Sequence, residues 1–182
     1  YHGQIWNASE VAGSLGVAPN TARSYLDALE QTYMIRRLQP WYVNVGKRLV
    51  KTPKIYFRDS GIFHLLQNIG SWDGLQTHPK LGASWEGYVI EEIIRVLKPD
   101  EAFFYAIHSG SEIDLFLPLP GKRLGVEVKR SDAPKFSRSI AIASEDLSLD
   151  EVWVIYPGTK TYHLADHVLV CPLASIYERL ME

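Results

Sequence analysis

Apolar positions along the chain alternate between helical and strand-like spacing, and the changes of period predict the elements. Ser9 is a candidate cap for a helix running to Leu15, with Val11, Ala12 and Leu15 on one side. Residues Gly16 to Asn20 read as a turn. A second helix starts at Asn20 or Thr21, and Ala22, Tyr25, Leu26 and Leu29 form its apolar stripe. A strand follows from Tyr33 to Leu38. Two short helices, a tight turn and a strand over residues 5–38 predict a helix-turn-helix or winged-helix unit. Lys54 to Phe57 reads as a further strand, and Asp59 or Ser60 caps a short helix over Gly61 to Gln67.

Residues Gly70 to Pro79 are rich in turn formers and read as a linker. We therefore place one domain at 1–70 and a second at 80–182. The second opens on the clearest helix of the chain, residues 81–98, with Ala83, Tyr88, Val89, Ile93, Val96 and Leu97 on its apolar face, Ser84 as a cap and Pro99 as its stop. Strands are predicted over 102–107, 111–117 and 125–130, a helix over 136–147, strands over 151–156 and 168–171, and a helix over 173–180. Near-continuous apolar content marks 151–156 as buried on both faces. The order defines a mixed α/β sandwich.

The strands at 111–117 and 125–130 organise this half. Side chains on a strand alternate between faces. Glu112 and Asp114 therefore share one face, opposite Ile113, Leu115 and Leu117. Glu127 and Lys129 share a face opposite Val126 and Val128. Pro118, Pro120 and Gly121 turn the chain between the strands, so they can pair as a hairpin and bring Asp114 close to Glu127 and Lys129.

Composition narrows the function classes. A hydrophobic fraction of 46% with 22% charged residues is that of a globular protein. Net charge is −2, but residues 1–60 carry +4 and residues 61–182 carry −6, which suggests two functional units. Cys171 is the only cysteine; it excludes an intrachain disulfide and a cysteine-based zinc site, and it fits a reducing, cytoplasmic setting. It reads as a small buried hydrophobe. No apolar run reaches the roughly 20 residues of a membrane span, so no membrane partner is expected.

The candidate chemistry is metal-assisted phosphodiester hydrolysis by Glu86, Asp114, Glu127 and Lys129. Hard carboxylate oxygens suit Mg²⁺, which keeps several waters and takes one or two carboxylates. Asp114 and Glu127 are the expected metal ligands, with the Val128 carbonyl as a helper. Lys129 would orient the attacking water or neutralise developing charge. Glu86 would anchor a metal-bound water or a second ion. Glu112 is a neighbour without an assigned role, and His108 precedes the hairpin as either a turn residue or a group near the site. A glutamate and a lysine two apart on a strand occur often, and the bland alternative is a structural ion pair facing solvent. No phosphate-binding loop is present, and His163 and His167 read as surface histidines.

For nucleic acid the reading is open. The second helix carries one arginine against two acids, a poor face for phosphates. The more basic stretch follows it, with Arg36, Arg37, Lys47, Arg48 and Lys51 as candidate DNA-backbone contacts and Trp41, Tyr42, Tyr56 and Phe57 interleaved. It reads equally as a wing touching phosphates or as a solvated hairpin with aromatic stems in the core.

The order Glu86, Ser-Glu-Ile-Asp114, Val-Glu-Val-Lys129 resembles the PD-(D/E)xK nuclease superfamily, with Ile113 where proline often stands. That resemblance implies a restriction-endonuclease-like α-β-β-β-α-β sandwich. Four stretches in order, 29–38, 47–61, 85–92 and 110–114, are similar to the C-terminal region of a family of prokaryotic AAA+-type ATPases. There the region is a domain of unknown function, a winged helix followed by a nuclease-like fold. The resemblance implies an ATPase module ahead of Tyr1 as partner. The alternative it implies is a noncatalytic DNA- or protein-binding module that regulates the ATPase.

Overall fold

A computed structural model describes residues 1–42, 49–108 and 110–179. The chain forms two compact units, one from Tyr1–Leu38 and Thr52–Tyr88, the other from Gln39–Lys51 and the chain from Val89 on. Among the described residues are seven helices and nine strands, which makes the protein mixed α/β.

The first unit begins with β1 (Gln4–Ile5), α1 (Ala8–Leu15) and α2 (Pro19–Gln31). Asn7, not Ser9, caps α1: its side chain accepts from the Ser9 and Glu10 amides. Gly16 ends α1 in the left-handed conformation, at φ +67°, where a side chain is strained. Helix α2 starts earlier than Asn20, because Pro19 fills its first position and lacks only an amide that has no helical partner there. β2 (Ile35–Pro40) pairs antiparallel with β3 (Lys54–Phe57), Ile35 facing Phe57, and β1 adds to the far side of β3. Leu26, Ile35 and Ile55 form the core, with Trp6, Met34 and Phe57 packed on it. Of the expected α2 stripe, Ala22 and Leu26 are buried but Tyr25 and Leu29 are exposed, so the buried face is narrower than the pattern suggests. Asp59 caps α3 (Ser60–Leu66) as expected. The presumed linker contains a helix, α4 (Trp72–Thr77), whose Gly74 amide donates to Ser71 Oγ.

The first turns of α5 (Leu81–Leu97) dock in this unit on a buried histidine. His2 Nε2 contacts the Ala83 carbonyl at 3.0 Å, and its Nδ1 accepts the Phe57 amide at 2.9 Å, which places the proton on Nε2. The ring stacks on Phe63 with centroids 4.1 Å apart. A Cβ on Gly87 would lie 2.6 Å from the His2 Cε1 and Nε2 atoms, so only glycine lets the ring this close to the helix.

The second unit follows the expected order, with β4 (Phe103–Ala106), β5 (Glu112–Leu119), β6 (Lys122–Val128), α6 (Arg138–Leu147), β7 (Glu151–Tyr156), β9 (Val168–Pro172) and α7 (Ala174–Arg179). It adds β8 (Tyr162–Ala165), a polar strand beside β9. His163 is therefore on a strand, and exposed. The sheet runs from residues 39–40 through β4, β5, β6, β7 and β9 to β8. β4, β5 and β6 are antiparallel neighbours, while β6, β7 and β9 are parallel. Helix α6 makes the β6–β7 crossover that a parallel pair requires. Its Ile140, Ala143 and Leu147 pack with Tyr105, Ile113, Phe116, Val152 and Val154. Trp41 meets Phe103 and Phe116 edge-on, so this aromatic serves the core. Cys171 is buried in β9.

Two outcomes follow from the packing. Burial holds the His2 pKa down at about 4, against the pull of its Ala83 hydrogen bond and with Lys80 and His64 nearby. The group is depressed on folding, so its stabilising contribution is present above about pH 6.5 and is lost as pH falls through about 4. An NMR titration of the His2 ring is expected to show a midpoint near 4; a midpoint at 6.5 or above would contradict the burial. Gly87→Ala is expected to lower stability, since overpacking costs about 1–3 kcal/mol against a helix-propensity gain of roughly 1 kcal/mol. Gly125→Ala meets only the Leu149 Cδ1 methyl at 2.6 Å, which can rotate away, so thermal denaturation should rank it the milder change.

Candidate functional site

The antiparallel register of β5 and β6 pairs Leu115 with Val126 and Phe116 with Gly125. Continued by one residue, it sets Asp114 across from Glu127. Both carboxylates are buried, at 7% and 5% exposure. Asp114 Oδ2 accepts the Val128 amide at 2.8 Å, which ties the aspartate to the opposite strand just past β6's last ladder pair with β5. Lys129 Nζ donates to Glu127 Oε1 at 2.5 Å. The Lys129 backbone amide donates to the Ile155 carbonyl at 2.9 Å, so the lysine is fixed by the parallel β6–β7 ladder.

Electrostatics bind the three groups further. Burial pulls the Lys129 ammonium toward neutrality, but Glu127, then Asp114 and Glu112, outweigh it and hold its pKa above that of an ordinary lysine. The centre is a cation facing three acids. Glu112 stands at the mouth of β5, where Ser139 of α6 clasps its backbone: Ser139 Oγ accepts the Glu112 amide at 2.8 Å and donates to the Glu112 carbonyl at 3.1 Å. Arg123 closes the other end of the hairpin, with its amide on Asp150 at 2.6 Å and Nε on the Leu147 carbonyl at 2.5 Å.

Of the expected site residues, Asp114, Glu127 and Lys129 come together in the second unit. Glu86 is engaged within the first. Its Oε1 accepts the Tyr56 hydroxyl at 2.5 Å and the Lys54 ammonium at 3.3 Å. Lys54 and Tyr56 lie two apart on β3, on one face, and both are buried. This trio was missed in the sequence, although a lysine inside an otherwise apolar strand was its signal. Beside it, His64 Nε2 meets Ser84 Oγ at 2.6 Å. Among the described residues no three His, Cys, Asp or Glu side chains gather as a metal-holding set. The Asp114–Glu127 pair still fits the donor set of Mg²⁺, which needs no more than one or two carboxylates.

Of the candidate nucleic-acid residues, Arg37 is turned onto α2, with Nη2 2.6 Å from Asp27 and 3.0 Å from Glu30. Arg36 is half-buried on β2, facing Tyr56 across the ladder. Lys51 is exposed, and its carbonyl accepts the Tyr42 hydroxyl at 2.9 Å. Lys47 and Arg48 lie outside the described residues.

Fold and site together define a mixed α/β protein with a carboxylate–amine cluster on its central hairpin. The chain belongs to the DUF4143 family, described as a domain of unknown function, which matches residues 81–176. Residues 1–73 match a second domain of unknown function, DUF8612. The chain is also similar to the uncharacterized protein Rv2008c of Mycobacterium tuberculosis and the uncharacterized protein Mb2031c of Mycobacterium bovis. Each is 43% identical over 176 residues, which is 97% of this chain and 40% of the relative. The chain thus spans about two fifths of the length of these relatives. No solved structure matches it. No helix among the described residues is long and apolar enough to cross a membrane.

The cluster predicts its own titration. Glu127→Gln removes the main charge that opposes burial, so the Lys129 pKa should fall. Heteronuclear NMR of the Lys129 side chain reads this directly, and an unmoved pKa would mean that the two groups do not interact in solution.

Proposed function

We propose that the second unit is a nuclease-like domain in which Asp114, Glu127 and Lys129 form a Mg²⁺-dependent centre for hydrolysis of DNA phosphodiester bonds, in a protein that also carries an AAA+-type ATPase module. One observation supports this most: two buried carboxylates and an ammonium converge on the central hairpin of an otherwise apolar sheet. Buried charge is costly, and evolution keeps it where it is paired or where it binds. Asp114 and Glu127 would hold the ion, which when bound supplies charge stabilisation at phosphate oxygens. The chain's own residues do the rest. The Val128 amide orients the Asp114 carboxylate. The strand ladder carries Lys129, whose Nζ keeps its proton and offers positive charge to a phosphate oxygen or to the attacking water. Arg36, Lys51, Lys47 and Arg48 would contact the DNA backbone without reading sequence. The order of these residues along the chain, shared with the PD-(D/E)xK nucleases, supports the same reading.

A second reading, a noncatalytic DNA- or protein-binding module regulating the ATPase, draws support from Glu86. Its carboxylate is occupied by Tyr56 and Lys54, so it does not supply the further acid expected of it at the metal. Cleavage of supercoiled plasmid by the full-length protein separates the two. On the nuclease reading Mg²⁺ is required, Asp114→Asn reduces cleavage to background and Lys129→Met lowers it by about 10²–10³-fold, the size of losing one charge-stabilising donor. Cleavage that survives Asp114→Asn, or none in the native protein, would leave the binding module as the function.

A further inference from the structure

We propose that Lys129 is a built-in stand-in for the metal cation, holding Glu127 until a divalent ion arrives and then carrying its charge to a phosphate, so that cation and phosphodiester bind cooperatively. This rests on the reading of Asp114 and Glu127 as a metal pair.

The two partners of the ion pair differ in freedom. The Glu127 side chain is 6% exposed and that of Lys129 is 42% exposed. Glu127 lies on the β6–β7 ladder, paired with Val154. Asp114 is held by the Val128 amide. The backbone of Lys129 is pinned at Ile155, but its four-carbon stem reaches the site from the surface. The lysine side chain is therefore the part that can leave without disturbing the sheet.

Charge sets the direction of exchange. One ammonium faces the carboxylates of Glu127, Asp114 and Glu112. A divalent ion neutralises more of that charge than a lysine does. Two cations cannot share the few ångströms around Glu127 without repulsion that low dielectric makes large. Release of Lys129 places a free ammonium beside the site, where the phosphate oxygen of a diester is its natural partner. Each ligand then favours the other, and the coupling must be reciprocal.

The test uses the full-length protein, Mn²⁺ as the probe cation and dimethyl phosphate as the probe diester, with bound Mn²⁺ measured by electron paramagnetic resonance. In the native protein dimethyl phosphate should tighten Mn²⁺ binding. In Lys129→Met, Mn²⁺ alone should bind at least about fivefold more tightly, the lower end of typical coupling, and dimethyl phosphate should no longer help. Lys129→Arg keeps a cation at the position and should bind Mn²⁺ as weakly as the native protein; with circular dichroism, it shows that the effect is not a loss of fold. Equal Mn²⁺ affinity in native and Lys129→Met proteins would overturn the stand-in role while leaving the metal pair intact. No Mn²⁺ binding in any of the three would remove the metal reading itself.

Discussion

The antiparallel register between β5 and β6 is the constraint on which the second unit depends. Side chains alternate with period two, so a slip of one residue would send Asp114 to the opposite face and bring apolar residues to the acid side. Three anchors oppose such a slip. Ser139 clasps the backbone of Glu112 at one end, Arg123 is held by Asp150 and Leu147 at the other, and Asp114 itself accepts the Val128 amide between them. β6 is also locked on its other edge by five parallel pairs with β7. Helix α6 supplies both Ser139 and Leu147, so the crossover that closes the sheet also sets the hairpin's register.

The first unit uses its charges differently. Arg37 is held by Asp27 and Glu30, and Lys54 by Glu86, so these two cations are paired locally. The start of α5 is tied down by polar contacts rather than by apolar packing alone: Ala83 to His2, Ser84 to His64, and Glu86 to Tyr56 and Lys54. Gly87 completes the set by leaving room for the imidazole. This helical segment gains its position from directional bonds as well as from packing.

The larger elements of this fold were legible because their apolar periods are long or continuous. Helix α5 and strand β7 are found where the pattern puts them, and the expected hairpin forms, although Pro118 lies within β5, paired with Arg123, and only Pro120 and Gly121 make the turn. The misses are physical as well. Helix α4 is built of residues that usually make turns, and a single serine cap with local hydrogen bonds sustains it. β8 is short and polar, with no apolar alternation to announce it. The partners of Glu86 were hidden because spacing along one helix says nothing of a strand some 30 residues earlier. The proximity of Asp114, Glu127 and Lys129 was legible because it depends only on one turn and the pairing of two strands.

The chain alternates between the two units: it passes from the first to the second after Leu38, returns after Lys51 and leaves again after Tyr88. Trp41, which meets Phe103 and Phe116, and Leu49, which bridges to Ile107, belong to a segment inserted far upstream of the strands they serve. No single scission of the polypeptide separates the two halves. A recombinant piece starting near residue 80 would lack the upstream hydrophobic plug and expose the aromatic wall it covers. Synthesis on the ribosome meets the same condition, because Trp41 and Leu49 must wait until the chain has grown past Phe116 before all of these partners exist.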